Sequence, residues 1–110
     1  MTTETIKTST ELFQMVQDAK SDMARTLLGH AMGAACEYEN TRTQLSSAME
    51  YCRRQIERAK RDLDTEGRVP NSLGVLQGNG IEVDRLCGEL TRTRQAAIAT
   101  QELLTSLGIH

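Results

Sequence analysis

A chain of 110 residues with 13 basic and 15 acidic side chains carries a formal charge of −2, so no global field draws it to nucleic acid or acidic membranes. Its aromatic side chains are Phe13, Tyr38 and Tyr51, which leaves Leu, Ala, Met, Val and Ile to supply the core, a palette that favours helices over sheets. Cys36, Cys52 and Cys87 are an odd count at wide spacing; they fit neither a disulfide framework nor paired metal ligands and read as reduced, buried, inert thiols of a cytoplasmic protein.

Met1 to Thr10 is polar and lacks the apolar stretch of a signal peptide, and no run of about 18 apolar residues is present to span a bilayer. Thr8-Ser9-Thr10-Glu11 then places a hydroxyl three residues ahead of a carboxylate, the pattern that satisfies two orphan N–H groups where a helix starts. From there apolar or small residues recur every three or four positions: Leu12, Val16, Ala19, Met23, Leu27, Ala31, Ala34 and Tyr38. After a polar gap at Thr41 and Arg42 they continue as Leu45, Met49, Cys52, Ile56, Ala59 and Leu63. The spacing predicts one amphipathic helical stripe over residues 9–66, closed by Gly67 as a left-handed cap, with Pro70 beyond it.

Residues 67–80 hold four glycines and the only proline and read as an ordered connector, with Asn71, Leu73 and Leu76 available for contact. A second seam follows over 81–107: Val83, Leu86, Leu90, Thr93, Ala97, Thr100, Leu104 and Leu107, ending at Gly108. Such a helix is roughly 40 Å long at 1.5 Å per residue. The expected fold is a single all-α domain, an antiparallel helical hairpin or coiled coil with a long first helix.

If Leu63 and Val83 lie near the connector, Leu107 falls opposite Tyr38, and Leu12, Phe13, Val16, Met23, Leu27 and Leu28 are left uncovered. Each large apolar side chain is worth about 1.5 to 3 kcal/mol when buried, so this strip is the expected protein-interaction surface. Gly29 and Gly33 decide how it is covered, since each costs about 1 kcal/mol relative to alanine inside a helix. A break there folds 10–28 back into a three-helix bundle. A continuous helix of roughly 85 Å instead projects beyond the hairpin and must dimerise or grip a partner. The absence of Pro, Asn, Asp and Ser between Gly29 and Gly33 favours the continuous helix and a homo-oligomer, a dimer first.

No catalytic, cofactor or metal constellation emerges: His30 and His110 have no ligand or base partner at useful spacing. Arg54, Arg58 and Arg61 form an outward stripe suited to phosphate contacts, but Glu50 with Arg54 and Glu57 with Arg61 stand in favourable i, i+4 order, and no aromatic residue is interleaved for base stacking. The reading is therefore a non-enzymatic helical interaction module. A nucleic-acid-associated or regulatory protein using the arginine face is one alternative, and a small phage-type inhibitor or anti-defence protein is another. Asn71-Ser72-Leu73-Gly74-Val75-Leu76-Gln77-Gly78 with Val83-Asp84-Arg85-Leu86-Cys87 resembles short helical proteins of actinobacteria and their phages over about a fifth of the chain, a resemblance that implies helicity and no activity.

Overall fold

The computed structural model describes residues 6–67 and 73–109, and these form three helices: α1 (Ser9–Asp18), α2 (Asp22–Glu66) and α3 (Leu73–Ser106). The principal extents are 67 × 28 × 21 Å and the radius of gyration is 20.2 Å, against about 13 Å for a compact domain of this length. The molecule is a rod whose length is set by α2, 45 residues in one unbroken helix. Both α1 and α3 pack against it.

The first helix starts where the hydroxyl–carboxylate pattern places it: Thr8 is the N-cap, and its side chain accepts from the Glu11 N–H at 3.2 Å. It ends ten residues later, at Asp18. Ala19 adopts an extended backbone, and Ser21 caps the next helix by accepting from the Ala24 N–H at 3.1 Å. Asp22 follows in the first turn, where a carboxylate complements the helix dipole. The chain therefore folds its first segment back to give three helices, as one branch of the sequence reading expects, but it turns at Ala19–Ser21 and runs unbroken through Gly29–Gly33, which corrects the place of the turn. Gly29 and Gly33 lie inside α2, and a Cβ built on either meets nothing within 4 Å, so neither marks a break or a close backbone approach.

The other ends follow the glycines. At Gly67 the φ is 66° and the N–H donates to the Leu63 carbonyl at 2.9 Å. At Gly108 the φ is 76°, the Gly108 N–H donates to Thr105 at 3.0 Å, and the Ile109 N–H donates to Leu104 at 2.9 Å. This paired arrangement satisfies the last carbonyls and returns an apolar residue to the helix it follows; Ile109 packs on the core.

The last helix begins at Leu73 rather than near residue 81, so Gly74, Gly78 and Gly80, expected in the connector, are helical. Starting earlier, α3 reaches about two turns farther back along α2 than the sequence count allowed, and Leu104 joins Ala31 and Ala35 in the core. Leu12 of α1 and Leu28 of α2 complete that core, with Met15, Val16, Ala19, Leu27 and Met32 packed around it.

The N-terminal arm is held by polar contacts as well. The Ser9 N–H and hydroxyl both donate to Glu39 Oε1 at 3.0 Å, which gives one orphan donor of the first turn a carboxylate partner. Gln101 of α3 brackets the chain just before α1, accepting from the Lys7 N–H at 2.8 Å and donating to the Lys7 carbonyl at 3.0 Å.

Candidate interaction surface

On α2, Leu28, Ala35, Arg42, Met49, Ile56 and Leu63 recur every seven residues, so they form one column along the helix. A neighbouring column runs through Ala31, Tyr38, Leu45, Cys52 and Ala59, and a third through Ala34, Thr41, Ala48, Gln55 and Asp62. Beyond the reach of α1, the second and third columns are buried or half-buried, and α3 is the element that covers them. The small side chains among them, Thr41, Ala48, Cys52 and Ala59, admit a close neighbour. The buried Thr41 hydroxyl donates to the Glu37 carbonyl at 2.9 Å and that of Thr93 on α3 to Leu90 at 3.2 Å, so the polar gap expected at Thr41 costs no unmade hydrogen bond.

The first column has a divided fate. At Leu28 and Ala35 it lies in the core with α1 over it, 1% exposed at both positions. Farther along the same helix, Met49 is 55% exposed, Ile56 56% and Leu63 50%. Between Met49 and Ile56 the column borders an open groove of about 520 Å³ lined by Cys52, Arg53, Gly80, Val83 and Asp84. A Cβ on Gly80 would meet nothing within 4 Å, so the α3 side of this groove has room for an incoming side chain.

This arrangement redistributes the residues singled out from the sequence. Of the expected N-terminal interaction strip, Leu12 and Leu28 are buried within their own chain, Val16 and Leu27 are half-buried against that core, and Phe13 and Met23 are exposed at 51% and 66%. The strip is therefore not a continuous uncovered face: α1 folds back over it, and α3 reaches it from the other side. Met49, Ile56 and Leu63, assigned from the sequence to the hairpin seam, are instead the uncovered ones. The signal was the width of the apolar face of α2, three columns where one helix–helix seam needs two. On α3 the expected seam holds, with Leu86, Thr93, Ala97 and Leu104 buried, although Leu107 is half exposed.

Of the connector residues, Asn71 lies outside the described residues, Leu73 opens α3, and Leu76 is half-buried. His110 also lies outside them, whereas His30 is exposed on α2. Cys36 and Cys87 are exposed and only Cys52 is half-buried, which corrects the expectation of three buried thiols. Among the described residues no group of three His, Cys, Asp or Glu side chains could hold a metal ion, and no helix is long and apolar enough to cross a membrane.

Arg54, Arg58 and Arg61 are exposed along the outer side of α2. Arg54 reaches Glu50 at 3.4 Å, but Glu57 is engaged by Arg53 at 2.6 Å instead of by Arg61. Arg53 also holds Glu50 at 2.5 Å, and that hydrogen bond, aided by the charges of Arg53 and Arg54, draws the Glu50 carboxyl down from 4.5 to about 2. These are exposed pairs of small energetic weight, yet they fix the polar rim beside Met49 and Ile56. Comparison of the chain with protein-family models, with curated proteins and with solved structures finds no match.

Proposed function

We propose that this chain is a non-enzymatic helical protein–protein interaction module that associates with a second copy of itself through the open column Met49, Ile56 and Leu63. The carrying observation is the divided column: an antiparallel helix covers Leu28 and Ala35, while the same column stays half exposed at three large apolar residues farther along. Three such side chains in register on a straight helix form a ridge that water solvates poorly. Met49 at one end of it lets the surface adapt to the partner.

Sedimentation equilibrium over a micromolar to submillimolar range tests the proposal. The parent chain is expected to approach twice its chain mass with rising concentration. The variant Ile56→Asp is expected to stay at one chain mass with its helical circular dichroism intact, and Met23→Asp to behave like the parent. A parent that remains a single chain throughout, or an Ile56→Asp variant that still associates, overturns the reading.

A further inference from the structure

We infer that α1 is an exchangeable strap: two copies can trade it, each laying its α1 on the α2 of the other, once Ala19–Ser21 straightens into helix. The turn itself opposes this weakly. Ala19 and Lys20 are good helix formers, and no glycine or proline lies between Asp18 and Asp22. Leu12, Val16, Ala19, Met23 and Leu27 keep helical spacing straight through it. Gly67 and Gly108 close their helices in the left-handed conformation, whereas α1 ends on an extended Ala19 whose N–H lies 3.3 Å from the Val16 carbonyl. What favours the turn locally is the Ser21 side chain, which caps α2 at the Ala24 N–H.

The contacts that hold α1 join residues on opposite sides of the turn: Leu12 with Leu28, Ala31, Ala35 and Leu104 in the core, Ser9 with Glu39, and Lys7 with Gln101. A second copy offers the same residues in the same arrangement, so exchange remakes these contacts and adds helical hydrogen bonds across residues 19–21. A straight α1–α2 helix in a lone chain would instead bare Leu12, Leu28, Ala35 and Leu104 to water. The straight form is therefore stable only when a second copy fills the vacated site. The Ser9–Glu39 contact sets its register: the two-fold axis falls midway between positions 9 and 39, at Ala24, one heptad before Ala31 of the core. The two rods then extend end to end, and Met49, Ile56 and Leu63 play no part. Because α1 must leave its site before it is traded, exchange is slow, and a chain folded in dilute solution keeps α1 on itself.

Refolding tests this in the Ile56→Asp background, which sets association through the open column aside. Protein is refolded from urea at high and at low concentration, and both samples are diluted and sized at once by gel filtration. The concentrated sample is expected to hold a slowly reverting dimer and the dilute one a single chain. Ser21→Ala, which removes the cap and supplies a better helix former, is expected to raise the association constant roughly tenfold or more, since two caps are lost per dimer. Asp22→Pro is expected to abolish the dimer with helical circular dichroism intact: proline suits the first helical position after an extended Ser21 (φ −128°, ψ 152°) but breaks a helix that runs through it. Connectivity is read from Lys7→Cys with Gln101→Cys, the native cysteines replaced by serine, joined by a short-arm bismaleimide. On a denaturing gel the dimer is expected to be linked between chains and the monomer within one. No dimer in the concentrated sample, a dimer that Asp22→Pro leaves undiminished, or links confined within single chains overturns the exchange. Pairing of Ile56→Asp chains folded in dilute solution counts against the open column alone.

Discussion

The two halves of α2 present the same column of residues to different neighbours, and the contrast separates what holds the fold from what is left to bind. In the half near Ser21, three helices meet, and Leu12, Leu28, Ala31, Ala35 and Leu104 are buried together. Among the described residues the half near Gly67 has two helices, where Ala59 and Leu86 are buried and Met49, Ile56 and Leu63 lie at the surface. That half also contains Asn79, in the same heptad column as Leu86 and Thr93, whose Nδ2 is buried with no hydrogen-bond partner among the described residues. A third helix is thus what turns an apolar column into a core, and its absence makes the same column a surface. A ten-residue helix such as α1 is too short to persist by propensity alone; its burial on α2 and its polar anchors at Glu39 and Gln101 maintain it.

The sharpest way to break this comparison is to truncate one leucine and one isoleucine of the column. Leu28→Ala is expected to cost about 2 to 5 kcal/mol in urea denaturation, as buried leucines do. Ile56→Ala, measured in dilute monomeric protein, is expected to cost less than about 1 kcal/mol, because more than half of that side chain is already in water. Equal losses at the two sites would erase the distinction between the halves.

The turn that creates the three-helix half rests on a cap rather than on glycines. Ser21→Ala is expected to lower stability by about 1 kcal/mol through loss of the hydrogen bond to the Ala24 N–H. Gly29→Ala and Gly33→Ala are each expected to raise it by about 0.5 to 1 kcal/mol, since both positions are helical and an added Cβ meets open space. Thermal denaturation of the three variants reads all of these. A silent Ser21→Ala with destabilising alanines at 29 and 33 would return the break to the glycines.

The smallest effect is electrostatic and belongs to the two-helix half. Glu50 carries a depressed carboxyl because Arg53 donates to it. Its contribution to helix stability is therefore present above pH 4.5 and lost as pH falls toward about 2. An NMR titration is expected to give Glu50 a midpoint near 2, and Arg53→Gln is expected to move it back toward 4.5. A midpoint already near 4.5 in the parent would show that Arg53 does not hold the carboxylate.

Much of this architecture is written in local signals. The Thr8 cap, the Gly67 and Gly108 terminators and the α3 seam from Leu86 to Leu104 follow from residue chemistry that acts over a few positions. The turn at Ala19–Ser21 is hidden because Ala19 and Met23 continue the helical spacing across it, so periodicity outvotes the Ser21-Asp22 start signal. Leu73 as a helix start is obscured by Gly74, Gly78 and Gly80, whose helical cost is met by the packing of Leu76, Val83 and Leu86 along the same element. The open column is the feature the sequence conceals most: Met49 and Ile56 have the spacing of a seam, and only the choice of α3 to sit over Thr41, Ala48 and Ala59 leaves them outside.

The difference between the two halves is read most directly by thiol labelling of Leu28→Cys and Ile56→Cys, each in a background with the native cysteines replaced by serine, as a function of protein concentration. Position 28 is expected to react slowly at every concentration. Position 56 is expected to react fast in dilute solution and to become protected as the chain is concentrated and a second copy covers it. Slow labelling of position 56 in dilute protein, or no protection of it at any concentration, would contradict the account.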